Sequence, residues 1–249
     1  MLVSSSNNPF EIKTSLDGTC GVCKSHNCLI HNFYDVLFNS KVVRNNPVLK
    51  CQKGQQFIIE VAPVNGLYFI KSGTVKVFRT GINGREQIVR FAKPCEIVGH
   101  RGFGTQEYYS IGAIALQDTE LYYFSKEYLQ EALLKNPKFA YEMMLFYANE
   151  LNRSENKVKS ISQMTVRERV IDTILYIHRK FGDLRGYINL PLSRKEYADY
   201  AGTTEEQVIR VFSTLKKEGL ISTKGKKISI SNITDLKNEI SEHNFYLDL

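Results

Sequence analysis

Between residues 50 and 125 apolar and polar positions alternate in short runs. Phe57-Ile58-Ile59-Glu60-Val61, Gly66-Leu67-Tyr68-Phe69-Ile70, Thr74-Val75-Lys76-Val77-Phe78 and Gln87-Ile88-Val89-Arg90-Phe91 are rich in β-branched and aromatic residues. Gly, Pro and Asn punctuate them at roughly ten-residue spacing, which predicts a small β-sandwich or barrel. Lys71-Ser72-Gly73-Thr74 predicts a turn between strands. Asn83-Gly84 predicts a two-residue hairpin loop, because both positions tolerate positive φ.

The period then changes. From Pro137 to about Gln163 there is no Gly and no further Pro. Phe139, Met143, Phe146, Glu150, Ser154, Val158 and Ile161 follow steps of three and four, the spacing of a coiled-coil seam with apolar ends and a polar middle. A surface helix packed on its own β-domain would show the same spacing.

Residues 164–249 read as mainly helical, with a short hairpin. Arg167 to Phe181 is amphipathic. Ser193-Arg194-Lys195-Glu196 has the form of a capping box, so a helix starts there and runs to about Tyr200. Gly202 supplies a turn, Thr203 or Thr204 caps the next helix, and Gly219 stops it. Leu220 to Thr223 and Lys227 to Ile230 then form a hairpin whose tip, Lys224-Gly225-Lys226, is basic. Two short helices joined at a glycine and followed by a hairpin make a winged helix-turn-helix.

Charge sharpens this picture. The whole chain carries a formal charge of +7 over 249 residues, too little to specify a polyanionic partner. Residues 164–230, however, hold 13 basic and 8 acidic side chains, while the last 19 residues hold one lysine and four acids. The basic excess thus sits on the helices and the wing, where phosphates would lie. On the second helix Glu205, Glu206, Gln207, Ile209 and Arg210 occupy the end that would meet base edges, with Ser193, Arg194 and Thr204 beside them. Arg210 can donate two hydrogen bonds to guanine and Glu206 can accept one from cytosine. An exposed ion pair four residues apart is the simpler reading of those two residues alone. Lys216, Lys217, Lys224, Lys226 and Lys227 are the expected phosphate contacts.

No run approaches the length of a membrane span and the N-terminus lacks the order of a signal peptide, so a cytoplasmic protein with no membrane partner is expected. Five cysteines are present, three of them within nine residues: Cys20, Cys23 and Cys28. That crowding suits metal or redox chemistry better than a disulfide scaffold. Such thiolates can hold an iron–sulfur cluster or a zinc ion, or can act as a metal-free redox pair. No Gly-rich phosphate loop, Gly-x-Ser-x-Gly or two-His metal motif occurs, so nothing points to an enzyme.

In this order the motifs resemble the Crp/Fnr family of bacterial transcription regulators, over about residues 18 to 231. The strongest stretch runs from Leu192 to Arg210. Gln52-Lys53-Gly54-Gln55, Leu67 to Lys76 and Ile97-Val98-Gly99 resemble the turns of the family β-roll. The resemblance implies an α+β chain with an N-terminal β-roll, a long dimerisation helix and a C-terminal winged helix-turn-helix. It divides the chain into a cysteine-bearing segment 1–35, a sensor 36–135, a dimerisation helix 136–163 and a DNA-binding domain 164–249. It also implies a homodimer on a palindromic duplex operator, with RNA polymerase as a partner. The dimer seam would then include Met143, Phe146, Ser154, Val158 and Ile161.

Two departures from the family pattern stand out. Where cyclic-AMP binders place an Arg-Ser pair on the phosphate, this chain has Tyr109-Ser110, and tyrosine cannot neutralise a phosphate at neutral pH. No cyclic AMP is expected; His100, Arg101 and Tyr109 mark the corresponding pocket, open to some other ligand. Cys20, Cys23 and Cys28 resemble the iron–sulfur cysteines of the oxygen-sensing branch, with one residue fewer in the second gap. The position of that branch's fourth cysteine holds Tyr122. A fourth ligand would come from Cys51, Cys95, His26, His31 or His100, with Cys51 foremost and structural zinc as the alternative.

Overall fold

Apolar residues in short runs of two to seven produce two four-stranded sheets. The computed structural model describes residues 29–33, 37, 48–103 and 107–243. Its strands are β1 Leu49–Cys51, β2 Gln56–Ile58, β3 Gly66–Ser72, β4 Val75–Thr80, β5 Glu86–Ala92, β6 Ile97–Val98, β7 Gly112–Ala115 and β8 Thr119–Ser125. One sheet runs β1–β8–β3–β6 and the other β2–β7–β4–β5. Both sheets bury apolar residues: Leu67, Phe69, Ile70, Phe91, Ile97, Leu121 and Phe124 are all buried, and the Phe69 and Phe124 rings meet edge to face at 5.1 Å. At the β4–β5 reversal Asn83 (φ 62°) and Gly84 (φ 70°) both take the left-handed conformation, as expected of that dipeptide. The loop is wider than the two residues expected, closing where the Gly81 N–H donates to the Arg85 carbonyl at 2.7 Å.

The helices are α1 Leu29–Asn32, α2 Lys126–Lys135, α3 Pro137–Gln163, α4 Val166–Phe181, α5 Arg194–Ala201, α6 Glu205–Lys217 and α7 Ile233–Glu239. Short strand pairs complete the chain: β9 Asp183–Leu184 with β10 Tyr187–Ile188, and β11 Ile221–Lys224 with β12 Lys227–Ile230. The β9–β10 pair and α7 lie outside the sequence reading. Among the described residues no helix is long and apolar enough to cross a membrane.

Two compact units emerge. One holds the described residues up to Val77 together with Phe91–Met143; the other holds Phe78–Arg90 and the chain from Met144 onward. The reversal between β4 and β5 therefore belongs to the same unit as the helix-turn-helix, a grouping absent from the linear division of the sequence. The second unit has its own core, in which Val170, Ile174, Ile177, Leu192, Tyr197, Val208, Phe212, Leu215, Ile228 and Leu236 are buried.

Helix α3 has the bounds that the sequence predicts, and the positions expected in its seam differ in exposure. Met143 is only 4% exposed and Phe139 fully buried inside the first unit, where the Phe139 ring packs 5.0 Å from Phe33. Phe146 is half-buried. Glu150 is buried against Arg90, and the half-buried Ser154 hydroxyl donates back to the Glu150 carbonyl at 2.9 Å. The exposed apolar positions are Tyr141, Met144, Leu145, Leu151, Val158 and Ile161. A 27-residue helix of this composition carries apolar side chains on more than one face, and spacing alone does not say which of them its own chain covers.

Candidate nucleic-acid interface

Two capped helices set the geometry. The Ser193 side chain accepts from the Glu196 N–H while the Glu196 carboxylate accepts from the Ser193 N–H at 2.6 Å, closing the expected capping box. Helix α5 ends at Gly202, whose left-handed backbone (φ 66°, ψ 47°) reverses the chain at little steric cost. Thr204, rather than Thr203, caps α6, its side chain accepting from the Gln207 N–H. Val208, Phe212 and Leu215 bury one face of α6, and Tyr197 of α5 meets Phe212 with ring centroids 5.2 Å apart.

That packing leaves the other face in solvent. Glu205, Glu206, Gln207, Ile209 and Arg210 are all exposed in the first turns of α6, Ile209 by 48%. The Thr204 hydroxyl, the backbone amide of Glu206 itself and, more weakly, Arg210 and Arg85 hold the Glu206 carboxyl below the usual carboxylate range. A carboxylate in the first turn also has the favourable end of the helix dipole. The array thus offers an acceptor, an apolar surface and a two-pronged donor within five positions, a set suited to reading base edges.

The wing stands beside it. β11 and β12 pair from Ile221↔Ile230 to Lys224↔Lys227, so the loop is Gly225-Lys226, with Gly225 at φ 59°. Lys216, Lys217, Lys224, Lys226 and Lys227 are exposed.

Two of the expected contacts also have partners within the fold. The Arg194 guanidinium lies 4.2 Å from the centre of the Phe212 ring and donates to the Gly225 carbonyl at 3.4 Å, tying α5 to the wing. Burial pushes its proton affinity down. The Ser193 hydroxyl is engaged with Glu196 at 2.8 Å. Arg85, near Glu206, was missed by the sequence reading. A loop residue 121 positions away leaves no local signal of that proximity.

The β-roll positions fall differently. Tyr109 is buried, and its hydroxyl donates to the Gly66 carbonyl at 2.8 Å while accepting from the Gly66 N–H at 3.3 Å. Its ring lies 3.4 Å from where a Cβ on Gly99 would stand and 3.5 Å from where one on Gly102 would stand. Burial raises its proton affinity, so the phenol stays neutral. His100 is buried in the helical turn after Gly99, and Arg101 is half-buried. Cys51 is buried in β1, and burial holds the proton on its thiol. Cys95 occupies a turn at φ 73°, its N–H donating to the Ile70 carbonyl. Cys20, Cys23, Cys28 and His26 lie outside the described residues, as does the side chain of His31. Among the described residues no group of three or more His, Cys, Asp or Glu side chains is arranged to hold a metal ion.

Comparison with known proteins agrees with this geometry. Residues 48–136 match the cyclic nucleotide-binding domain family and residues 168–239 the Crp-like helix-turn-helix domain family. The chain is 30% identical over 200 residues to the transcriptional activator protein Anr of Pseudomonas aeruginosa, covering 79% of this chain and 80% of that one. It is 29% identical over 199 residues to the anaerobic regulatory protein of Pasteurella multocida, covering 78% and 71%. The solved structure of FixK2 from Bradyrhizobium japonicum superposes with a TM-score of 0.70 at 26% identity, covering 77% of this chain and 96% of that one. Similar across both domains, in sequence and in backbone, to regulators of one kind, the chain belongs to the Crp/Fnr family of DNA-binding transcription regulators.

Proposed function

We propose that this regulator acts as a homodimer on a palindromic operator, with α6 of each copy in the major groove. The observation that carries the reading is the exposed first half of α6, where Glu206, Ile209 and Arg210 face solvent while Val208 and Phe212 anchor the helix from behind. Arg210 holds a guanine, Glu206 accepts from a cytosine on the same half-site, and Ile209 meets a thymine methyl. Thr204, Glu205 and Gln207 flank them. Lys216, Lys224 and Lys226 contact phosphates. RNA polymerase enters as a partner because the Pseudomonas aeruginosa relative is named a transcriptional activator.

Selection of duplexes from a randomised library at one salt concentration tests the base assignment. Arg210→Ala should lose about 1–3 kcal/mol per half-site and its guanine preference. Glu206→Ala should relax one base position without weakening non-specific binding, since removing an acid cannot reduce attraction to phosphate. Unchanged preference in both variants would sink the assignment.

The signal we assign is oxygen or redox state, received at Cys20, Cys23 and Cys28. Support comes from the spacing of these cysteines and from the name of the Pasteurella multocida relative, an anaerobic regulatory protein. Cys51 stays our fourth-ligand assignment; a bound metal would displace the proton that burial retains. Iron, sulfide and zinc analysis of anaerobically purified wild type, Cys23→Ser and Cys51→Ser distinguishes an iron–sulfur centre from structural zinc. Protein with neither metal, binding DNA equally in air and under argon, would remove the sensory role.

We expect no cyclic AMP in this β-roll. The Tyr109 ring lies against the Gly99 and Gly102 backbones and its hydroxyl is satisfied by Gly66, so no cation faces a phosphate from that position.

A further inference from the structure

Helix α5 is short, and its last four carbonyls have no donors within the helix. Every one of them finds a partner. The Ala198 carbonyl accepts from the Gly202 and Thr203 amides. The Ala201 carbonyl accepts from Arg169 Nε at 2.9 Å, and the same guanidinium donates to the Met164 carbonyl, just past α3, at 2.8 Å. The two that remain, Asp199 and Tyr200, are reached by Gln87 of β5, whose Nε2 lies 2.6 Å and 3.4 Å from them. Gln87 also donates to the Ile88 carbonyl at 3.2 Å. Three carbonyl oxygens on one side of the side-chain amide require its nitrogen there, because an oxygen would meet only other acceptors.

The surroundings extend the contact. A Cβ on Gly202 would stand 3.6 Å from Gln87 Oε1 and 3.7 Å from the Ile161 side chain, so the β4–β5 reversal, α3 and the turn converge at that glycine. Glu86 adds to the field that raises the proton affinity of Lys195 on α5, and Arg85 adds to the one that lowers that of Glu206 on α6. The segment Arg85–Gln87 therefore runs along both helices of the motif. Only Gly202, Thr203 and Thr204 separate α5 from α6. Any tilt of the end of α5 carries directly into the first turn of α6.

We propose that Gln87 is a positioning residue for DNA recognition, capping the C-terminal carbonyls of α5 and thereby setting the angle at which α6 presents Arg210. The proposal rests on the reading that α6 enters the groove. Its polar contact is a chemical latch that a single side chain can open without touching the DNA-facing residues.

The test uses full-length protein and two duplexes: a palindrome selected from a randomised library by the wild type, and a random sequence of equal length. Gln87→Ala should bind the selected palindrome about 3- to 10-fold more weakly, the loss expected for one hydrogen bond, with affinity for the random duplex unchanged. Gln87→Glu places a carboxylate against carbonyl oxygens and should be worse than Gln87→Ala near pH 8. Protonation restores a donor, so its deficit relative to wild type should shrink toward about pH 5.5. A purely structural defect would not reverse with pH while sparing random DNA. Wild-type affinity in either variant, parallel loss on both duplexes, or a pH-independent deficit in Gln87→Glu overturns the proposal. Arg210→Ala and Glu206→Ala separate the underlying reading: retained preference in both removes both ideas, whereas a defective Arg210→Ala beside normal Gln87 variants removes only the latch.

Discussion

Glu150 of α3 and Arg90 of β5 form a buried ion pair, with the carboxylate and guanidinium 2.9 Å apart and both side chains less than a tenth exposed. Arg153 donates to the other carboxylate oxygen at 2.6 Å. The pair turns the polar middle of α3 toward its own chain. Desolvation offsets much of the attraction in such a pair, but removing one partner leaves an uncompensated buried charge. Glu150→Gln should therefore destabilise the protein by about 3 kcal/mol, and the double variant Arg90→Met with Glu150→Leu should recover most of that loss. Urea unfolding of the three forms measures it; a Glu150→Gln midpoint equal to wild type would contradict the buried pair.

In the proposed homodimer, the exposed line of α3 away from this pair is the face offered to a second copy. Leu151 and Val158, one heptad apart, are 60% and 67% exposed, in line with Met144 one heptad earlier. Leu151→Glu and Val158→Glu should each weaken the dimer at least tenfold, since each forgoes burial on the order of 1.5–3 kcal/mol and desolvates a charge. Ser154→Leu should change the dimer constant little, because Ser154 bonds back to Glu150 and lies off that line. Sedimentation across micromolar concentrations checks all three. Tighter association of Ser154→Leu would put residue 154 in the seam after all.

Lys157 carries a pH dependence. Its ammonium lies 3.8 Å over the Tyr200 ring, between α3 and α5, and burial pushes its proton affinity down from the ordinary 10.5 to about 8. Arg169 acts in the same direction, while Asp172 opposes it. Between pH 8 and 10.5 the unfolded chain binds more protons here than the folded one, so stability from this group rises with pH across that window. The Asp172 carboxyl, raised chiefly by burial, has the opposite slope on the acid side. Thermal midpoints between about pH 7.5 and 9.5 should climb in wild type relative to Lys157→Met. Identical slopes would show that Lys157 titrates normally.

Tyr109 should be worth more as a filler than as a polar contact. Tyr109→Phe keeps the ring and loses the bond to Gly66, at about 1 kcal/mol. Tyr109→Ala empties the space against Gly99 and Gly102, at roughly 3–5 kcal/mol. Calorimetric titration of the wild type with 3′,5′-cyclic AMP should give no binding heat. Saturable binding would mean that the ring swings out.

Local rules made much of this architecture legible. The capping box at Ser193, the left-handed Gly202, the stop near Gly219 and the basic tip of the wing each depend on neighbours within a few residues, and they stand where the chain predicts them. The β-runs and the bounds of α3 follow from apolar periodicity in the same way. The face of α3 was not legible, because a three-four spacing is satisfied equally by a partner helix and by the chain's own strands. Arg90, 60 positions before Glu150, holds the polar middle of the helix through a contact that no local spacing signals. Arg194 shows the same limit: the sequence places it beside the expected base-reading residues, but only packing shows the guanidinium lying over Phe212. The ties of Gln87 and Arg169 to the end of α5 are likewise tertiary. The sequence alone determined which segments become helices, turns and wing, since those depend on backbone preference and periodicity. The fold decided which polar side chains stay exposed and which are engaged by carbonyls, rings and buried charges far away in the chain.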